Sequence, residues 1–145
     1  MDDKYSVLMS VYYKEKPVVN PAVIEEINKA DLIILSMGSI YTSIIPNLLC
    51  KEIVNLLENI DTPIMYTCNI MTQPGETDNL SVSEHVKIIN QYLGKRKIDI
   101  VVANNGKIAE SMRKKYETLE QKDPVLLDKD NLKDVKLITN IYVTI

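Results

Sequence analysis

Phenylalanine and tryptophan are absent from this 145-residue chain, and histidine occurs once. That one residue, His85, stands in no familiar metal-ligand spacing with the two cysteines, so no Cys/His metal centre is expected. Cys50 and Cys68 sit in helix-like and strand-like apolar surroundings and read as small buried hydrophobes rather than a disulfide. Long apolar runs are also missing: none approaches the roughly 18 residues that a spanning helix needs. The first residues are charged (Asp2, Asp3, Lys4) and no signal-peptide pattern follows, which leads us to expect a cytoplasmic protein without a membrane partner. Basic runs stop at three residues, as in Lys95-Arg96-Lys97, and the net charge is -3, so the electrostatic footprint of a nucleic-acid partner is absent. Tyrosine alone, in eight copies, supplies the aromatic content, and no functional reading follows from it.

What is present suits one globular domain: 46% hydrophobic and 26% charged residues in a length able to bury a substantial core. Tyr5 to Tyr13 alternates loosely, as a strand would. Asn20-Pro21 reads as a cap followed by proline at the first helical position, with Val23, Ile24 and Ile27 on one face. Asp31 to Leu35 is a short buried strand, Pro46 to Ile60 a helix carrying Leu49, Ile53, Leu56, Leu57 and Ile60, and Pro63 to Cys68 a third strand. Ser81-Val82-Ser83-Glu84 is a capping box opening a helix to Leu93, with Gly94 as a left-handed terminator. Ile98 to Ala103 predicts another strand, Asn104-Asn105-Gly106 a turn into a helix through Ile108, Met112 and Tyr116, and Pro124 to Leu127 and Val135 to Val143 the last strand candidates. Strands alternating with helices over short links predict an α/β fold: a three-layer α/β/α, Rossmann-like arrangement on a mainly parallel sheet.

Parallel strands send every strand-to-helix loop to the same sheet edge, where open α/β sheets bind ligands. Three polar loops qualify, at residues 36–43, 69–79 and 104–106. The first, Ser36-Met37-Gly38-Ser39-Ile40-Tyr41-Thr42-Ser43, offers a glycine and four serine or threonine hydroxyls ahead of a helix, which suits a phosphate at its positive end. Hydroxyls that merely cap the helix explain it equally well, and the glycine and lysine spacing of a Walker loop is missing. The second, Asn69-Ile70-Met71-Thr72-Gln73-Pro74-Gly75-Glu76-Thr77-Asp78, combines amides, hydroxyls and two carboxylates around a Pro-Gly turn. Such groups suit a base, a ribose or a sugar, or a hydrated cation at the carboxylates. Local turn bonds from Thr77 and Asp78 are the plainer alternative.

The run from Ser39 to Leu49 and the run from Asn69 to Asp78 closely resemble the signatures of the gluconeogenesis factor family (YvcK-like), which is related to the CofD-like 2-phospho-L-lactate transferases. The resemblance extends from about Asn20 to Val125. It implies a Rossmann-like fold and a cytoplasmic protein that binds a nucleotide sugar, typically a UDP-linked N-acetylhexosamine, and influences cell shape and envelope synthesis. On that reading Gly38, Ser39, Tyr41 and Thr42 line a phosphate or sugar pocket, and Asn69, Thr72, Gln73 and Glu76 form the facing wall.

No catalytic residue is assigned and the protein is expected to regulate rather than catalyse. The alternatives are a transferase moving a phospho-lactyl group onto a deazaflavin acceptor, in which Glu76 and Asp78 would hold magnesium, and a folded remnant that does neither. Relatives usually read Gly-Pro-Gly-Ser where this chain has Ser36-Met37-Gly38-Ser39, which would strain a turn that needs glycine at the first position. Relatives are also about twice as long and begin with a strand and a glycine-rich phosphate loop. The expectation is therefore a single partial CofD-like domain, residues 1–145, lacking the N-terminal half. A second copy of the chain, or a separate N-terminal half, is the partner this predicts, because an open sheet edge self-associates.

Overall fold

The computed structural model describes residues 10–120 and 122–142. Helix α1 (Pro21–Lys29) begins where the sequence places it: the Asn20 side chain accepts the Ala22 amide at 3.0 Å and Pro21 occupies the first turn. Strand β1 (Ile33–Leu35) follows, then a π-helical turn (Ile40–Ile44), α2 (Ile45–Leu48), α3 (Lys51–Glu58) and β2 (Ile64–Thr67). Next come α4 (Val82–Asn90), β3 (Ile100–Asn104), α5 (Glu110–Glu120), a 3₁₀ turn (Lys129–Asn131) and β4 (Lys136–Asn140).

The four strands form one sheet in the order β1-β2-β3-β4, every pair parallel. The chain is thus an α/β, Rossmann-like domain on a parallel sheet, as the strand and helix alternation predicts. Burial alternates along the strands with the period of two that a pleat imposes. Ile64, Tyr66, Val101 and Ala103 face a core shared with Val86, Ile89 and Leu93, whereas Ile34 and Ile138 on the opposite face are 53% and 41% exposed.

Side-chain bonds fix the start of α4 and tie the end of α3 to the approach to β2. The capping box of α4 is complete: Glu84 N donates to Ser81 Oγ at 3.4 Å and Ser81 N to Glu84 Oε2 at 2.7 Å. After α4, Gly94 takes the left-handed conformation (φ 63°). Arg96 then donates to the Leu57, Ile60 and Thr62 carbonyls and to Asp99, which itself accepts the Ile64 amide at 2.8 Å. The middle of the basic run is therefore a structural residue that closes the C-terminus of α3 and sets the entry to β2.

Several local expectations need correction. The helix expected to reach Leu93 ends at Asn90, and Ile108 precedes the helix expected to carry it, which starts at Glu110. Ser10 to Tyr13 is irregular rather than a strand: Tyr12 and Tyr13 are exposed and no described strand pairs with them, while residues 5–9 lie outside the described residues. The helix assigned to Pro46–Ile60 begins earlier, at Ile40, and is interrupted at Cys50, whose extended backbone (ψ 107°) separates α2 from α3. Pro124 to Leu127 makes one antiparallel bridge, Pro124 to Met71, and no strand. Pro124 lacks the amide that would extend the ladder.

Candidate functional site

The loops after β1, β2 and β3 open together at the C-terminal edge of the sheet, and the first two interlock. Asn69 donates through Nδ2 to the Gly38 carbonyl at 3.0 Å and accepts the Gly38 amide on Oδ1 at 3.2 Å. Its carboxamide thus replaces a backbone neighbour for a loop 31 residues away. Gly38 packs closely: a Cβ there would lie 3.2 Å from the Ser43 Cβ, so a larger residue would require Ser43 to shift. Among the described residues only Asn79 is a non-glycine with positive φ, so Ser36 carries none of the strain that its departure from Gly-Pro-Gly-Ser would have implied.

Ser39 continues the junction. Its hydroxyl donates to the Glu76 carboxylate and accepts the Thr42 amide at 3.0 Å, so it caps the π-helical turn while tying it to the second loop. Tyr41 is 8% exposed and belongs to the core; burial, then Tyr92 and Glu76 nearby, raise its pKa. Thr42 is exposed on the turn.

The second loop is braced by its own groups. Pro74 and Gly75 (φ 76°) are the central residues of a turn closed by Glu76 N donating to the Gln73 carbonyl at 3.0 Å, a type II pattern in which glycine supplies the positive φ. Thr77, 1% exposed, accepts the Gln73 amide at 2.9 Å, and Asp78 accepts the Gly75 amide at 2.7 Å. Thr72, 2% exposed, exchanges two bonds with Asp123: its amide donates to the Asp123 carbonyl at 2.7 Å and its Oγ1 accepts the Asp123 amide at 3.0 Å. The Gln73 Oε1 is buried without a hydrogen-bond partner among the described residues.

Between these loops lies a cavity of about 260 Å³ lined by Met37, Gly38, Asn69, Ile70, Met71, Thr72, Gln73 and Lys122. Four of the eight expected ligand residues (Gly38, Asn69, Thr72 and Gln73) line it. Ser39 and Tyr41 are buried beside it, Glu76 is joined to it through Ser39, and Thr42 stands outside. A second cavity of about 570 Å³ adjoins it across Ile70, between Asn104–Ile108 and Pro124–Leu127. There Asn104 closes its own turn, accepting the Gly106 amide at 3.2 Å and donating to the Gly106 carbonyl at 3.0 Å.

Sequence reading takes Pro124 to Leu127 as a strand candidate and misses Lys122, which lies just ahead of it and is the one charged side chain lining the smaller cavity. It also misses Asp128, whose carboxylate accepts the Ser83 amide at 3.0 Å, the Ser81 hydroxyl at 3.0 Å, the Ser83 hydroxyl at 2.5 Å and the Asn131 side chain at 2.9 Å. Burial alone would raise the Asp128 pKa, but these bonds outweigh it and lower it to about 2. The only signal was Asp-Pro ahead of an apolar Val-Leu-Leu, which suggests a strand and says nothing of what it touches.

Comparison with known proteins places this geometry in a family. The model described as 2-phospho-L-lactate transferase CofD matches residues 3–142. A putative gluconeogenesis factor of Clostridium acetobutylicum is 48% identical over 93 residues, 64% of this chain and 21% of that protein. The gluconeogenesis factor of Bacillus subtilis is 42% identical over 117 residues, 81% of this chain and 37% of that one. The crystal structure of a UPF0052 family member from Bacillus halodurans superposes with a TM-score of 0.81 at 34% identity, over 89% of this chain and 41% of that one. The chain therefore spans between about a fifth and two fifths of the length of these proteins.

Proposed function

Since the chain belongs to the CofD family, we propose that it acts as a gluconeogenesis factor, binding a UDP-linked N-acetylhexosamine in the cytoplasm and regulating cell shape and envelope synthesis. The observation that carries this reading is the junction of the two loops that most resemble gluconeogenesis factor signatures. Joined by Asn69 and Gly38, they border an open depression in which backbone, amide and hydroxyl groups alternate with the apolar side chains of Met37, Ile70 and Met71, with one lysine at its side. That chemistry suits sugar hydroxyls and a phosphate together. Two proteins similar to this chain are described as gluconeogenesis factors, one of them putative, which supports the same assignment.

The transferase reading fits less well. Moving a phospho-lactyl group calls for carboxylates that hold magnesium against the developing charge. Here Glu76 accepts the Ser39 hydroxyl and Asp78 the Gly75 amide, each through one oxygen. Among the described residues no group of three or more His, Cys, Asp or Glu side chains gathers to hold a cation, and on that ground we favour binding over transfer.

Because the chain covers between about a fifth and two fifths of its relatives, we propose that the wall facing this cavity comes from further polypeptide of the family fold or from a second copy of the chain. Calorimetric titration with UDP-N-acetylglucosamine tests the function. Weak saturable binding by the chain alone, strengthened by the remaining part of a relative added as a separate polypeptide, supports it. No binding with either composition refutes it.

A further inference from the structure

Residues 122–128 cross the ligand loop and are bonded at both of its ends. At the near end Asp123 exchanges two bonds with Thr72, and Val125 N donates to the Ile70 carbonyl at 2.9 Å. At the far end Val82 N donates to the Leu126 carbonyl at 2.9 Å, and the Asp128 carboxylate takes up the start of α4 through Ser81 and Ser83. A helix N-terminus offers free amides and a positive field to any anion, and here a side chain of the same protein fills that role. Charge-assisted bonds of this kind are stronger than neutral ones, so Asp128 anchors the far end of the segment.

We propose that residues 122–128 form a positioning strap: Asp128 clips it to α4, the strap sets the cavity wall at Ile70 to Thr72, and Lys122 at its start receives the anionic, phosphate-bearing end of the ligand. This rests on the nucleotide-sugar reading above for the ligand's identity, and on the hydrogen-bond geometry alone for the strap. Lys122 Nζ lies 2.6 Å from Glu120 Oε2, with side chains 33% and 46% exposed. Exposed pairs contribute little net stability, so a phosphate can displace the glutamate. Glu120 is then a competitor for the site rather than a part of it.

Asp128 touches no ligand in this scheme and Lys122 does, which separates their signatures. Hydrogen exchange reads the strap without any ligand. In Asp128→Asn, exchange at the Thr72, Val82 and Val125 amides should rise about tenfold or more while Tyr66 and Val101 in the sheet stay unchanged. Asp128→Glu should recover part of the protection. NMR titrations with inorganic pyrophosphate and with UDP-N-acetylglucosamine read the anion contact. Lys122→Gln should weaken both and flatten their salt dependence, Glu120→Gln should strengthen both, and Asp128→Asn should weaken both with the salt dependence intact. Pyrophosphate binding without UDP-sugar binding would sink the nucleotide-sugar reading and leave the strap standing. Unchanged exchange in Asp128→Asn overturns the strap; binding of neither probe, or Lys122→Gln binding like the parent chain, overturns the role of Lys122.

Discussion

The Asn69 carboxamide satisfies both backbone groups of Gly38, the amide at 3.2 Å and the carbonyl at 3.0 Å. Two loops separated by a π-helical turn, two α-helices and a strand are thereby held as one surface. Replacing Asn69 by alanine leaves two half-buried groups without partners, and each such group costs about 1–3 kcal/mol. Because Gly38 is only half-buried and water can partly replace the lost partners, Asn69→Ala should lower stability to urea by about 1–3 kcal/mol for the two groups together and raise exchange at the Gly38 amide. Asn69→Asp should recover only part, because a carboxylate accepts the amide but repels the carbonyl. Stability equal to the parent chain in Asn69→Ala would show that the loops are held elsewhere.

Ser81→Ala removes the hydroxyl that caps α4 and the bond it makes to Asp128. Loss of a cap of this type costs about 1–2 kcal/mol. Denaturant unfolding should register that loss, and no loss would require a different start for α4.

Gly94→Ala confronts two obstacles. The position has φ 63°, and a Cβ would fall 2.1 Å from Glu58 Oε1, the atom that accepts the Lys95 amide. The left-handed conformation alone costs a residue with a Cβ about 1–2 kcal/mol. The midpoint of thermal unfolding should fall accordingly; an unchanged midpoint would mean the turn can relax without strain.

His85 predicts a pH dependence. The ring is fully buried, and because a carbonyl can only accept, Nδ1 donates to the Ser81 carbonyl at 2.8 Å, leaving Nε2 buried without a partner among the described residues. Burial lowers its pKa, with the Ser81 carbonyl and Glu84 opposing. A proton therefore binds the unfolded chain more readily than the native one. The stability from the neutral ring is complete above the ordinary histidine value of about 6.5 and is lost as the pH falls below it. Urea unfolding between pH 7.5 and 5 should show this slope, and His85→Leu should remove it. An equal slope in both chains would assign the titration to another group.

The elements that could be read from the sequence are those with punctuation at their ends. Asn20-Pro21 and the Ser81 to Glu84 box each mark a helix start by local backbone chemistry, and each stands where the sequence places it, whereas Gly94 is left-handed as expected but lies four residues beyond the end of α4. The parallel sheet follows from short links between strands and helices, and with it the meeting of the loops at one edge. The strap was not legible, because its partners are remote: Thr72 and Asp123 are 51 residues apart and leave no periodic trace. Nor was the start of the π-helical turn, since Ile40 and Tyr41 bury their side chains in a stretch whose polar neighbours read as loop. Composition likewise cannot distinguish a threonine that meets a ligand from one that, like Thr72, also anchors a distant segment.

The most direct test of nucleotide-sugar binding is an NMR titration of the isotope-labelled chain with UDP-N-acetylglucosamine. Saturable shifts centred on the amides of Gly38, Asn69, Thr72 and Gln73, and reaching Lys122, are the predicted result. Shifts confined to the opposite edge of the sheet, around Lys97 and Val135, or no saturable shift even with the complementary part of a relative present, would contradict it.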